Sequence, residues 1–316
     1  MPPQVRLPLA IYMAAMLFTN AAAQPYDSPF VDGRVTIRGG PEAAPIVITA
    51  TERLAGAIDS IRWNGKEFID SYDHGRQMQS AVSFDAGVSE PFWAERFNPT
   101  EAGSRRDGTG PRSSSKLLSI RSVVAELTTE TQPAFWLAPD EKSFGRSALN
   151  TTVLSNHRIA KRVRIGHDEF RNVIEYDVTF TVPSGESHRF AQFEAVTGYM
   201  PAEFKNFHKL DLTTGLLTPL DDGPGEQSQP VVFSTDDDAY AMGVYSPDQP
   251  AKGFERAGYG RFRFEREKVV KWNCVFRVRR EEGLHPGDYR YRSFIAVGDL
   301  PTVRRSLYEL AKKFPR

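Results

Sequence analysis

The chain of 316 residues contains one cysteine, Cys274, so no internal disulfide can staple its fold. The core must supply stability unaided. Surplus charge is also missing, since Lys+Arg and Asp+Glu both number 40. That balance removes the basic footprint of a nucleic-acid-binding protein and the polybasic patch of a membrane-surface protein. A neutral partner fits it better, or a small anion met by a local cluster of base. Short motifs are missing too. No His/Cys cluster has zinc spacing, and Asp236-Asp237-Asp238 lacks the partners of a calcium loop. There is no G-x-S-x-G elbow and no P-loop. Gly33–Gly40 has glycines but no helical pattern after it, so it is not a dinucleotide fingerprint. The sequence therefore leads us to expect no metal and no cofactor.

Long apolar runs are confined to one place, Leu7–Phe18. Arg6 precedes this run and Ala21-Ala22-Ala23 follows it. That is the layout of a secretory signal peptide over residues 1–23, with Gln24 as the first mature residue. The run is shorter than the ~20 residues a membrane span needs. The expected mature protein has no membrane span and is exported, periplasmic or secreted, as in bacteria.

What the sequence has in quantity is strand. Arg171–Pro183 alternates, with Ile174, Tyr176, Val178 and Phe180 on one face and Glu175, Asp177 and Thr179 on the other. His188–Val196 and Asp288–Val297 repeat the pattern. Pro45–Thr51, Gly56–Trp63, Leu117–Thr128, Val153–Ile165, Val231–Ser234 and Ala239–Ser246 are further candidates. Asn64-Gly65 between Ile61–Trp63 and Glu67–Ile69 predicts a tight hairpin, because a type I′ turn needs φ > 0 at both central residues. Alternation also puts Cys274 on one face with Val270, Trp272, Phe276 and Val278, as a small core residue. Helix is scarce. Pro301–Phe314 is the one good pattern, with Val303, Leu307, Leu310 and Phe314 in a stripe. Asn98–Ser115 is poor in apolar residues and rich in Gly, Pro and Ser. The resulting expectation is one mostly β domain over residues 24–316. It is a large antiparallel β-sandwich with a long loop near 91–115 and a short C-terminal helix.

Three polar stretches could carry chemistry. In Ser187–Pro201, alternation puts Ala191, Phe193 and Ala195 inward and His188, Phe190, Gln192, Glu194 and Val196 on the other face. A carboxylate, an amide and an aromatic there suit the floor of a cleft, with Tyr199 a further contact. Equally, Glu194 is an ordinary surface residue. In Asp70–Gln79, the residues Asp73, His74, Arg76 and Gln77 crowd a turn. Their planar groups can fork onto vicinal hydroxyls or a carboxylate, and His74 can move a proton near neutral pH. The bland alternative is a solvated loop in which Asp73 and Arg76 pair with each other. In the long loop, Trp93 could stack on a sugar face while Asn98 and Glu101 bond hydroxyls, with Trp136 a second platform. Alternatively these aromatics anchor the loop to the core. His157, at the opening of a strand, could join the cleft.

The stretch Gly56-Ala-Ile-Asp-Ser-Ile-Arg-Trp-Asn-Gly-Lys-Glu-Phe-Ile69, followed by Asp73-His-Gly-Arg-Gln77, resembles the opening of galactose mutarotase-like domains. The match covers roughly residues 45–80. The resemblance implies a supersandwich fold and a carbohydrate ligand on a concave sheet. The His-Pro-x-Phe-Asn motif and the Pro-Asp-x-x-Asn tail of aldose epimerases are absent, so no catalytic residue is carried over. Two functions follow as expectations. One is a carbohydrate-active enzyme working by acid/base chemistry as epimerase, lyase or glycosidase. It would use His74 or His157 with Glu194, or Glu101 and Glu194 as a hydrolytic pair. The other is a non-catalytic glycan-binding protein of the cell envelope. Sugar, linkage and oligomeric state stay open.

Overall fold

Asn64 and Gly65 take φ of 49° and 80°, the two positive values a type I′ turn demands. Strand Ile58–Trp63 folds back there onto Lys66–Glu67, with Trp63 opposite Lys66. The computed structural model describes residues 30–88, 91–249 and 256–316. The expected signal peptide at 1–23 lies outside them. Among the described residues no helix is long and apolar enough to cross a membrane.

Antiparallel pairing builds two large sheets. The spine of the first runs Arg34–Gly39, Ile46–Thr51, Ile58–Trp63, Met78–Phe84, Phe190–Pro201, Val269–Arg279, Gly258–Phe264 and Gly225–Gln227. The second runs Leu217–Pro219, Asn206–Leu210, Val231–Ser234, Ala241–Tyr245, Gly287–Gly298, Phe170–Val182, Arg158–His167, Glu126–Gln132 and Lys116–Val123. Their inner faces make one core. Ile174, Tyr176, Val178 and Phe180 are all buried against it, as the alternation predicts. So are Val270, Trp272, Cys274, Phe276 and Val278 from the opposite sheet. Phe193 meets Phe180 across the interface at 5.3 Å between ring centroids, and Phe276 stacks on Tyr291 at 4.3 Å. Each such ring contributes roughly 1.5–3 kcal/mol by leaving water.

The helix spans Leu300–Lys313. Asp299 caps it by accepting the Thr302 N–H at 2.8 Å, and Pro301 sits in the first turn, where a missing N–H costs nothing. Val303, Leu307 and Leu310 are buried on the outer face of the second sheet, against Val173, Phe294, Ala296 and Tyr245. The rest of that face carries ions. Glu175, 2% exposed, takes contacts from Arg162 at 2.9 Å, Arg292 at 3.3 Å, the His167 Nδ1 at 2.9 Å, and Arg164. Burial alone would raise its pKa. The hydrogen bonds from His167 and Arg164 and the charges of Arg164 and Arg292 win, and hold it down at about 2.

Several expectations need correction. Leu117–Thr128 is not one strand but two, Lys116–Val123 and Glu126–Gln132, because Val124 turns the chain at φ 42°. Val153–Ile165 becomes a strand only at Arg158. Within the long loop near 91–115, residues 100–115 are tied to one another by hydrogen bonds. Asp107 Oδ2 accepts from the Ser104 N–H, the Ser114 N–H and the Ser114 hydroxyl, and Ser113 and Ser115 donate to the carbonyls of Ala102 and Thr100.

Glu101, expected to meet a sugar hydroxyl or act on the bond, is instead 0% exposed between the sheets. Its carboxylate receives the Ser80 N–H at 3.0 Å and the ammonium of Lys161, also buried. Lys161 donates again to the Gly56 carbonyl at 2.9 Å. Burial pushes the Lys161 ammonium toward its neutral form, and Glu101 opposes that. Beside this pair the Ser80 hydroxyl meets Tyr176 Oη at 2.8 Å and donates to the Ala195 carbonyl at 2.7 Å. A polar column thus crosses the apolar core and touches both sheets.

Removing one partner of this pair strands the other charge in the core. K161M is expected to lower unfolding free energy by about 3–5 kcal/mol in a urea titration, and the added change E101Q to restore most of it. Glu175 gives a pH signature. Its pKa falls from 4.5 to about 2 on folding, so it adds stability above pH 4.5 that is lost as pH drops through 2. E175Q should flatten the acid limb of a melting-temperature profile; an unchanged limb would clear Glu175 of that role.

Candidate functional site

The outward face of the first sheet is set by a bulge. Along Phe190–Pro201 the register shifts between Glu194 and Val196, so Ala195 and Val196 are both buried. One extra residue reverses the alternation beyond it. Val196, Gly198 and Met200 then pair with the inward Cys274, Trp272 and Val270. Thr197 and Tyr199 are returned to the face that holds Gln192 and Glu194. Strict alternation puts Val196 outward, and the bulge corrects this.

On that face Glu194 accepts from Lys271 Nζ at 2.9 Å and from Asn273 Nδ2 at 2.6 Å. Lys271 lies 5.2 Å over the Tyr199 ring and 5.5 Å over Phe262. Phe264 stacks on Tyr199 at 6.2 Å, with Phe262 beyond it at 6.3 Å. Gln192 accepts from Arg277 Nε at 3.1 Å, while the Arg277 guanidinium forks onto Glu226 at 2.6 and 2.7 Å. Burial alone would lower the Lys271 pKa. The Glu194 carboxylate and the Tyr199 hydroxyl outweigh it and hold the ammonium above the ordinary lysine range. Burial likewise raises the Tyr199 phenol, with Glu194 and Asp73 adding to it against Lys271. Gly258 and Gly260 leave room for these side chains. A Cβ on Gly258 would sit 2.1 Å from Glu226 Oε1, and one on Gly260 2.3 Å from Asn273 Oδ1.

Gln192, Glu194 and Tyr199 therefore come together. Lys271, Asn273, Arg277, Glu226 and Phe262 complete the surface and were missed. The alternation that puts Trp272, Cys274 and Phe276 in the core also sends Lys271, Asn273 and Arg277 to the opposite face, so the sequence did hold that signal.

The other sequence candidates do different work. His74 is 1% exposed, with Nδ1 2.8 Å from the Gly108 carbonyl and Nε2 3.0 Å from the Arg53 carbonyl. Both ring nitrogens are engaged by backbone, which leaves neither for a substrate. Gln77, buried, donates to the His74 carbonyl at 2.9 Å. Asp73 and Arg76 pair with each other at 3.2 Å, the bland alternative for that turn. Trp136 packs on Gly75, where a Cβ would lie 2.8 Å from the indole ring. Asn98 donates to the Val82 carbonyl at 2.8 Å and the Ser83 hydroxyl at 3.0 Å, pinning the loop to the sheet. Trp93 donates to Ser143 Oγ at 3.3 Å and lies under Arg146 at 4.6 Å. Glu101 and Glu194 lie on opposite faces of the sheet, so they form no hydrolytic pair.

His157 is also buried, beside His188 and Glu186 rather than Glu194. Its Nε2 is 3.4 Å from Glu186 Oε2. Burial lowers its pKa to about 4; His188 pushes the same way and Glu186 opposes.

No protein-family model and no curated protein matches this sequence. Solved structures show distant likenesses. A glycosyl hydrolase family 38 protein from Enterococcus faecalis is 12% identical, covering 84% of this chain and 31% of its own, with a TM-score of 0.49. The alpha-galactosidase from Lactobacillus brevis is 10% identical over 84% of this chain and 39% of its own, at 0.42. The Slr1438 protein from Synechocystis is 8% identical over 84% of this chain and 96% of its own, also at 0.42. The chain thus spans well under half of either hydrolase. At these identities and TM-scores, the likenesses carry no inference about what this chain binds or does.

Proposed function

We propose that this is an exported glycan-binding protein whose ligand lies on the outward face of the first sheet, over Tyr199, Phe262, Glu194 and Lys271. One observation carries the reading. Half-buried aromatic rings stand beside a carboxylate, an ammonium and an amide that are already fixed to one another, with the Gln192 amide held by Arg277. Sugars offer apolar C–H faces to rings and hydroxyls to such planar donors and acceptors. Preorganised groups bind without an ordering cost. The resemblance of residues 45–80 to galactose mutarotase-like domains agrees with this ligand class. The leader-like residues 1–23 support export.

Binding is favoured over catalysis because Glu194 is held by Lys271 and Asn273, and His74 and Glu101 are engaged elsewhere. No acid–base pair stands on the face among the residues expected to supply one.

The test is a thermal-shift and product screen of the secreted chain against neutral and uronic-acid glycans. A glycan is expected to raise the melting temperature without being converted. F262A and E194Q should each weaken its Kd about tenfold, equivalent to about 1.4 kcal/mol. If a glycan is converted and E194Q stops it, the enzyme reading replaces this one. If no glycan shifts the melting temperature, the carbohydrate assignment falls. Separately, N-terminal sequencing of the secreted protein should begin at Gln24; a start at Met1 would remove the cleaved leader.

A further inference from the structure

At one end of the sandwich, side chains from both sheets converge between the layers. His157 immediately precedes strand Arg158–His167 of the second sheet. His188 lies just before Phe190–Pro201 of the first, and Glu186 sits in the connection leading to it. One ligand atom from each lies within 4.8 Å of the others. Glu186 Oε2 is 2.8 Å from His188 Nε2 and 3.4 Å from His157 Nε2. Two ligands on one tetrahedral zinc are about 3.3 Å apart, given metal–ligand lengths of about 2.0–2.1 Å. The Glu186–His157 spacing is close to that, and the Glu186–His188 contact is a hydrogen bond that a bound ion would replace.

A second observation points to a guest. His157 is 1% exposed, yet neither of its ring nitrogens has a hydrogen-bond partner. A buried polar nitrogen without a partner costs about 1–3 kcal/mol, so one side chain rarely carries two. His188 is 3% exposed and its Nδ1 is likewise unpartnered, with Asp85 Oδ1 3.9 Å away. A carboxylate behind a ligating imidazole is the usual outer support of a metal-bound histidine. Phe84 stacks on His188 at 4.3 Å and packs tilted against His157 at 4.9 Å, and Phe97 closes the wall at 5.3 Å from His188. These rings hold the imidazoles in place in a dry setting. The Glu186 side chain, 21% exposed, opens to solvent.

We propose that His157, Glu186 and His188 bind one Zn2+ ion at this mouth between the sheets, a site distinct from the glycan face. Two imidazoles and a carboxylate suit zinc, whereas calcium and magnesium take all-oxygen shells. Three protein ligands leave a fourth position for water on the Glu186 side, the arrangement of open rather than purely structural zinc centres. The sequence hid the set because its members are brought together by strands of different sheets, not by a local spacing.

The experiment titrates the chelator-stripped full chain with Zn2+ by calorimetry, with Co2+ as a spectroscopic stand-in. One Zn2+ per chain is expected, with the visible absorption of four-coordinate cobalt. E186Q removes a partly exposed ligand and should weaken Zn2+ binding at least about tenfold. D85N, acting through His188, should weaken it about 10–100-fold. H157Q and H188Q should abolish the cobalt bands, with circular dichroism confirming that they fold. Failure of the wild-type chain to take up Zn2+ overturns the proposal. So does unchanged affinity in E186Q, which is decisive even if the histidine variants do not fold. Neither outcome touches the glycan reading, since no sugar is present in the assay.

Discussion

The structure depends on a charged pair placed where water cannot reach it. Glu101 and Lys161 meet in the middle of an apolar core, and each is tolerable only because the other is there. Their partners come from separated parts of the chain: the Ser80 N–H, the Gly56 carbonyl and, through Ser80, Tyr176 and the Ala195 carbonyl. A strand slipped by one residue would leave a charge unpaired at a cost of several kcal/mol, so the column penalises every register but one.

That penalty reaches the surface. Ala195, whose carbonyl Ser80 holds, lies in the bulge of Phe190–Pro201. The bulge decides that Tyr199 shares a face with Glu194 rather than being buried with Phe193. Inner polar contacts thus set the outer pattern of rings and charges. The two sheets also use their outer faces differently. The second is covered by the C-terminal helix and an arginine–carboxylate network around Glu175, and the first carries the cluster of Glu194, Lys271, Asn273 and the rings of Tyr199 and Phe262.

Much of the fold was legible because alternation is a direct report of which side of a strand meets the core. It placed Tyr176, Phe180, Trp272 and Cys274, and the Asn64-Gly65 turn, where the structure has them. It failed on Met78–Phe84, whose seven residues are all buried, because a strand covered on both faces has no period to read. It also failed at Val124, a turn made without glycine or proline. The crowded polar segment at 70–79 misled for a specific reason. His74 and Gln77 are there to bind backbone carbonyls and lock a turn onto the neighbouring loop, and that demand looks the same in sequence as a demand for ligand contacts. Lys161 was readable in principle, since it falls in phase with Ile159 and Val163 on the inward face.

Cys274 has a consequence of its own. It is fully buried, and burial raises its thiol to about 12. The folded protein therefore presents no thiolate to an oxidant or an alkylating reagent. Its neighbours Trp272 and Phe276 belong to the central packing, so no fraying at an edge exposes it. The rate at which a thiol reagent marks this chain then counts openings of the whole sandwich. The single thiol serves as a built-in clock for global unfolding.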